Sequence, residues 1–568
     1  MKKFTLLFAY LFFIVVMAIA SPKREMRAIW ISPISGDWPT FKITTPGNLS
    51  QINQQKSQLT NYLDRVKQGN LNAVFLHVRA MSDAFYPSEL APWTAYICDR
   101  GVDPGYDPLA FALEECHKRG LEFHAWMNPF RYESTSVTHP EDDPMRVQHP
   151  DWILQVGNQS ILDPGNPAVR TYIANVTKEI IQKYPDIDGI VWDDYFYVTG
   201  MGSQDNASFV AHNPNGLSLG DWRRDNVNKT VAETFNMIQS INPGIRFGIS
   251  PPGIWSTSSS AAAKYGVSLP NNVQGCWDVY NSIYADGLAW LQSHTIDYIS
   301  PQCYWRTDNL RPDYISLVTW WSAMAKKFDR HFYSSQGLYN INPNKPFTLA
   351  DCWLQIDKNR ELDATAPGSV FFCLKYYLNE YMNTYLPANR FEQPSLTPLI
   401  EFKASEGLGA PSEVVRGSDN ILTWTAPANG RKYSIYLLPA GGENNMRNYT
   451  TATYLIGTAF GNSMNVAAHS DKFATHRFAV RTLDRMGNES TPAVEKVTAV
   501  EYTFADGISL SNTSQGISLE LTKPSQVEVY TVGGLLIRNG TYNGFVEFPL
   551  DRGCYIVKIN NAIYKIVH

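Results

Sequence analysis

What most constrains this chain is an alternation. Between residues 26 and 385, eight short apolar runs of strand length take turns with eight stretches of helical character. The strand-like runs are 28–31, 73–78, 122–126, 189–192, 246–249, 297–299, 331–334 and 369–373. The helix-like stretches fall at about 53–68, 107–119, 167–184, 221–241, 282–293, 312–328, 348–361 and 376–385. Parallel strands need crossovers of helix length, so this order predicts a parallel sheet with its helices outside. Eight units predict an α/β fold, a (β/α)8 TIM barrel. An open doubly wound sheet would ordinarily carry a glycine-rich phosphate loop after its first strand, and none is present.

The punctuation supports the same reading. Asp107-Pro108 and Asn166-Pro167 each put a capping residue before a first-turn proline. Gly120 and Asn242-Pro243-Gly244 supply stops. Helix-to-strand links are short, as at Arg119-Gly120-Leu121. Strand-to-helix links are long, at about 130–166, 196–220 and 254–281. Long connections on the carboxyl side of barrel strands fall where such barrels build their sites.

A chain of 568 residues is too long for one core. Residues 1–20 read as an export signal: Lys2 and Lys3, an apolar run, then Ala18-Ile19-Ala20. The expectation is an exported protein, periplasmic or on the outer surface, with no transmembrane span after cleavage. The barrel is expected over 24–395. Two small all-β domains are expected to follow, a β-sandwich over 411–500 and a C-terminal module over 503–568, with turns at Gly533-Gly534 and Asn560-Asn561. A net charge of -5 with 18% charged residues gives no electrostatic case for nucleic acid. The seven cysteines are scattered without C-x-x-C spacing, which indicates neither a disulfide framework nor a zinc site.

The chemistry concentrates at the strand ends. Residues 188–197, DGIVWDDYFY, end a buried strand in two adjacent acids among aromatic rings. Glycoside hydrolysis needs one acid to protonate the leaving oxygen and a second carboxylate as nucleophile or base. Asp193, Asp194 and Asp286 are the catalytic candidates. Consecutive strand residues face opposite ways, so only one of Asp193 and Asp194 can point straight at the barrel axis. Asp286 reads equally as the N-cap of the helix after it. The substrate-binding candidates are Arg79, Asp83, His124, Trp126, Asn128, Arg131, Tyr195, Gln302, Tyr304 and Trp305. Amides and arginines hold hydroxyls, and rings stack on sugar faces. His124 reads equally as a core histidine. Arg79, costly to bury alone, is expected to pair with one of the aspartates. A carboxyl beside apolar rings is expected to titrate high. Neither a metal nor a cofactor is expected, and no Ser-His-acid order or nucleophile elbow is present.

Seven ordered motifs then add a resemblance: REMRAIWIS, HVRAMSDAFYPSELAPW, GLEFHAWMNPFR, LDPGNPAVR, DGIVWDDYFY, YADGLAW and DYISPQCYW. Over roughly residues 24–390 they resemble glycoside-hydrolase-like family 10 (DUF187, the YngK-like and divisome-localised glycosyl hydrolase group). The resemblance implies a TIM-barrel glycosidase-like domain in an exported bacterial protein. It also implies a polysaccharide or cell-wall glycan as the partner, with peptidoglycan strands lacking stem peptides among the substrates. Its strand-four acids fall on Asp193 and Asp194, with Tyr195 beside them. Another family element falls on Arg79, Asp83 and Tyr86, although Ala80-Met81-Ser82 replaces the family's usual proline-centred turn. A third falls on Gln302, Tyr304 and Trp305. The tails resemble a fibronectin-type-III-like module and a secretion-sorting module. The alternatives are a non-catalytic glycan-binding barrel and a metal-dependent carbohydrate deacetylase.

Overall fold

The structure, a computed structural model, describes residues 21–341, 347–363, 366–405, 407–496, 502–503, 508–512, 516–551 and 553–567. The expected export signal, residues 1–20, lies outside them.

Eight parallel strands form the barrel: β1 (Met26–Ile31), β2 (Ala73–Arg79), β3 (Glu122–Met127), β4 (Gly189–Trp192), β5 (Arg246–Ile249), β6 (Tyr298–Ile299), β7 (His331–Phe332 and Ser334–Gly337) and β8 (Gly368–Phe372). Neighbours in sequence are neighbours in the sheet, and β1 also pairs with β8. β7 is interrupted at Tyr333. Its first piece pairs with β6 and its second with β8. The two ends of the sheet are therefore one strand, and the sheet closes as the eightfold alternation predicts.

The helices outside are α1 (Leu49–Gln68), α2 (Pro108–Lys118), α3 (Pro167–Lys183), α4 (Leu219–Ile241), α5 (Gly287–Gln292), α6 (Tyr314–Lys327), α7 (Leu349–Leu362) and α8 (Glu380–Asn389). The proline-led starts behave as expected. Asp107 accepts from Ala110 N–H, and Asn166 accepts from Ala168 N–H.

Alternation along each strand sorts the core in two. Ile29, Ile31, Val74, Leu76 and Ile190 pack outward against the helices. Trp30, Phe75, Trp126, Val191, Tyr298 and Val370 fill the barrel interior. Each such fully buried side chain contributes about 1.5–3 kcal/mol of apolar transfer. Large interior rings need small neighbours. A Cβ on Gly248 would stand 2.1 Å from the Tyr298 ring, and one on Gly189 would stand 2.3 Å from His124 Nδ1.

The segment at 130–166, expected to be a long loop, contains a small antiparallel sheet. Arg131–Glu133 pairs with Gln159–Leu162, which pairs with Ile153–Val156. Gly157 at φ +59° turns this hairpin with Asn158, a two-residue signal of the kind that makes tight hairpins.

The described residues from 21 to 414, with 419–494, make one compact unit. Beyond the barrel it holds two further antiparallel sheets. One pairs Ile421–Thr425 with Ser463–Asn465. The other orders Leu455–Phe460, Lys432–Pro439, His476–Leu483 and Ala493–Val494. Leu422, Trp424, Tyr433, Ile435 and Val480 share a core. This β segment reaches the amino ends of the barrel strands. Lys432 Nζ lies 2.8 Å from Glu122 of β3, Arg431 Nη1 lies 2.9 Å from Asp188 just before β4, and the Phe460 and His117 rings stack at 3.8 Å. It floors the face opposite the long loops, the face that serves stability in such barrels. The described residues of 415–418 and 495–567 make a second unit, an antiparallel sheet dominated by Gly516–Thr531 and Leu536–Pro549, which turn at Gly533-Gly534.

Candidate active site

β4 ends at Trp192, whose ring is buried outward, edge-on to Phe247 at 5.1 Å. The next residue therefore faces inward. Asp193 is 8% exposed, and its Oδ1 accepts twice: from Asp194 N–H at 2.9 Å and from Gln302 Nε2 at 3.0 Å. Gln302 also donates to the Ser250 carbonyl at 3.1 Å. After Asp193 the chain bends, and half-buried Asp194 turns into the cleft instead of away from it. The rings of the motif hold this bend. Phe196 packs on Trp290 at 5.3 Å, Tyr197 meets Tyr284 at 5.3 Å, and Arg131 lies over Tyr195 at 3.9 Å.

The electrostatics follow from burial. Loss of solvent pushes Asp193 well above the usual aspartate range, and the Asp194 carboxylate beside it pushes the same way. Burial raises Asp194 as well, while the Arg131 charge opposes the rise in both. Two acids this close cannot both ionise cheaply, so the pair keeps one proton at a pH where an isolated aspartate has none.

Asp194 opens on a cleft of about 520 Å³, lined also by Pro252, Ile254, Trp277, Gln302, Tyr304, Trp305 and Tyr339. Its walls are rings and its floor is polar. Two polar atoms set around that floor, Trp126 Nε1 and Ser250 Oγ, are buried without a hydrogen-bond partner. By strand register Trp126 lies beside Val191, and Ser250 follows Ile249, the partner of Trp192. Ser250 therefore stands level with the Asp193 position, and Trp126 lies two residues deeper in the barrel.

The structure brings Asp193, Asp194, Gln302, Tyr304 and Trp305 together, with Arg131 and Tyr195 alongside. It uses the other candidates differently. His124 pairs in register with Gly189, four residues short of Asp193. There it lies under Phe75 at 4.6 Å and bonds Tyr298 OH at 3.1 Å, a core histidine beyond the reach of a glycan. Trp126 sits inside the barrel with His77 stacked on it at 3.8 Å. The ion pair expected between Arg79 and a strand-four aspartate does not form. Arg79 donates instead to the Asn128 and Pro129 carbonyls at 2.6 and 3.1 Å and to Ser82 Oγ at 3.2 Å. Carbonyl oxygens satisfy a buried guanidinium without a second buried charge. Asn128 Nδ2 bonds the Ala80 carbonyl, and Asp83 accepts the Ala80 and Met81 N–H groups. These three residues shape the β2 loop in place of the proline-centred turn. Asp286 caps α5 through Ala289 N–H and also accepts from Trp255 Nε1 at 3.0 Å and Tyr265 OH at 2.6 Å. Its oxygens are committed to holding a loop. Among the described residues no three of His, Cys, Asp and Glu converge as metal ligands.

A sequence model described as Glycosyl hydrolase-like 10 matches residues 25–353, more than half of the chain. The chain belongs to the glycosyl hydrolase-like 10 family. Glycosyl hydrolase YngK of Bacillus subtilis is 38% identical over 396 residues, which covers 67% of this chain and 75% of YngK. Glycosyl hydrolase DigH of Escherichia coli K12 is 32% identical over 383 residues, covering 63% of this chain and 84% of DigH. Among solved structures, alpha-L-fucosidase isoenzyme 2 from Paenibacillus thiaminolyticus is 11% identical with a TM-score of 0.39, covering 94% of this chain and 99% of the fucosidase. That likeness is too loose to carry an argument about substrate.

This glycosyl hydrolase-like barrel also has cleft residues that sequence reasoning missed. Trp277 is 47% exposed and lines the cleft, and Tyr339 stands edge-on to Tyr304 at 5.8 Å. A tryptophan inside the long 254–281 connection was the available signal, because an exposed indole on a site-bearing loop has a cost that only a ligand offsets.

Proposed function

We propose that this protein is an exported glycoside hydrolase cutting a polysaccharide, with peptidoglycan strands stripped of stem peptides as its substrate. The observation that carries the reading is the Asp193–Asp194 pair, fixed by Gln302 at the mouth of an aromatic cleft. An acid that keeps its proton in a buried site can hand it to a glycosidic oxygen as the bond breaks. Flat rings such as Trp277 and Trp305 suit the apolar faces of sugars, and the raised acids suit proton donation. The relatives YngK and DigH carry the name glycosyl hydrolase, which supports the class of reaction. Export rests on the residue 1–20 run, and the wall is the polysaccharide an exported barrel meets first. The 411–500 segment is read as a fibronectin-type-III-like support and the last 65 or so residues as a sorting module, both from sequence pattern.

The test is incubation of the protein, without residues 1–20, with denuded peptidoglycan and a panel of other polysaccharides. New reducing ends in soluble fragments support hydrolysis. Tight binding with no fragments from any substrate favours the glycan-binding alternative. Release of acetate that stops on chelation favours the deacetylase.

A further inference from the structure

Building on the glycosidase reading, we propose that the strand-four acids serve substrate-assisted cleavage of a 2-acetamido sugar. Asp194 protonates the leaving oxygen, and Asp193 holds the acetamido N–H while the substrate's own carbonyl oxygen attacks C1.

The argument begins with placement. A two-carboxylate glycosidase sets its acids on opposite faces of one sugar, about 5–5.5 Å apart for retention or 6.5–9.5 Å for inversion. Here both acids are consecutive residues leaving one strand, and the N–H of one bonds the oxygen of the other. Neither can stand across a sugar ring from its neighbour. Four other acids near the strand ends are spent on local structure. Asp83 takes two backbone N–H groups, and Asp286 takes a helix cap and two ring donors. Asp278 caps the helix Val279–Ser282 and accepts from Thr257 Oγ1. Asp163 holds Gly165 N–H and the Ser208 hydroxyl. Among the residues lining the cleft, Asp194 is the one carboxylate.

Among the described residues, the cleft lining thus offers no second carboxylate on the far face, while two acids crowd the near one. Such a pair suits a reaction with two polar demands at adjacent positions of one ring, the leaving oxygen on C1 and the amide N–H on C2. Asp193 is the buried member, and its donors from Asp194 N–H and Gln302 both reach Oδ1, with the Asp194 carboxyl beside it. Asp194 is the member open to the cleft. An amide N–H arriving at Asp193 favours its ionised form and places the shared proton on Asp194.

The step balances within the substrate and the pair. The acetamido oxygen forms a bond to C1 as the C1–O bond breaks. That bond's electron pair goes to the leaving oxygen, which takes the Asp194 proton. The resulting oxazolinium gives its N–H proton to Asp193 and becomes a neutral oxazoline. Water then adds to C1 as Asp194 takes back a proton and Asp193 returns the other to nitrogen. The amide is restored with retention at C1. Both sugars of a peptidoglycan strand carry the required acetamido group.

The experiment uses denuded glycan strands and 4-nitrophenyl chitobiosides whose N-acyl group is acetyl, fluoroacetyl, difluoroacetyl or trifluoroacetyl. We expect kcat/KM to fall at least tenfold across that series, and the thiazoline analogue of the oxazoline to inhibit competitively. Asp194→Asn should lose glycan cleavage at least 100-fold yet retain much of the nitrophenyl rate, since that leaving group needs no proton. Asp193→Asn should lose both and flatten the fluorine series. Glycan cleavage with no thiazoline inhibition and a flat series in the unaltered protein overturns participation and leaves the glycosidase reading standing. Cleavage confined to polysaccharides without acetamido groups does the same. Binding without cleavage of any substrate overturns both.

Discussion

Gln302 Nε2 donates to Asp193 Oδ1 at 3.0 Å and to the Ser250 carbonyl at 3.1 Å. One nitrogen thereby ties the ends of β4 and β5 to the segment that follows β6. The amide can do this only if its oxygen points away from the acid, so it fixes the orientation of the Asp193 carboxyl. Gln302→Ala should release the carboxyl and lower kcat by about 100-fold, the typical cost of losing about 1 Å of positioning. Steady-state kinetics beside a melting curve check it. A Tm loss well beyond roughly 4 °C, which exceeds about 1 kcal/mol in a domain this large, would mean that the fold was hit as well.

The pH profile should show the shared proton. Burial, joined by the Asp194 charge, holds Asp193 well above the ordinary aspartate range, and burial raises Asp194 too. Activity needs one proton on the pair, so it is greatest between the pair's two pKa values and falls as pH rises through the upper one. The basic limb of kcat/KM should therefore lie above about 4, the ordinary aspartate value. A limb at or below that value removes the pair as proton donor.

The same burial costs stability. The Asp193 carboxyl titrates at 3.8 when unfolded and higher when folded, so its favourable contribution is complete below 3.8 and is lost as pH rises through the folded value. Asp193→Asn should melt higher than the unaltered protein at pH 7 and show no such gain at pH 3. Paired scans at the two pH values decide it, and an equal gain at both would count against a raised carboxyl.

Trp277 tests the aromatic wall. It is about half exposed at the cleft, so its removal leaves the core intact. Trp277→Ala should raise KM roughly fivefold, about 1 kcal/mol of ring stacking, and leave kcat within twofold. A KM unchanged on glycan strands would place the sugar elsewhere.

Glu122 tests the floor. Burial opposes its ionisation, but Arg246 at 2.5 Å and Lys432 at 2.8 Å outweigh that and hold its pKa below the ordinary value. Its contribution is present above the unfolded 4.5 and is lost as pH falls toward the folded value. Glu122→Gln should cost about 3–5 kcal/mol at pH 7, because two buried cations lose their partner. Urea unfolding at pH 7 and pH 3 checks both the size and the shrinking of the difference in acid.

Much of the barrel was legible because its signals are local. Apolar runs such as 73–78 and 189–192 need only their own period, and Asn166-Pro167 caps its helix without distant help. The site was legible in part. Asp193, Asp194 and Gln302 stand just past strand ends, where chain position alone predicts the mouth. His124 and Trp126 do not, because depth within the barrel depends on register between strands, and Glu122 to Met127 offers several inward positions at different heights. Arg79 pairs with carbonyls and not with the expected aspartate because a guanidinium can take either, and the choice is made by which loop comes near. Trp277 was missed because a lone ring in a loop carries no period.

The sequence by itself determined eight alternating units, their order, the polarity of their ends and the arrival of two acids at one strand end. These follow from local periodicity and chain chemistry. Only the tertiary structure decided that β7 joins the two sheet edges, that Asp194 bends into the cleft beside Asp193, and that Asp286 is spent as a cap. Those outcomes depend on which groups from distant segments meet inside a closed barrel. There a buried polar atom takes whatever partner the geometry brings.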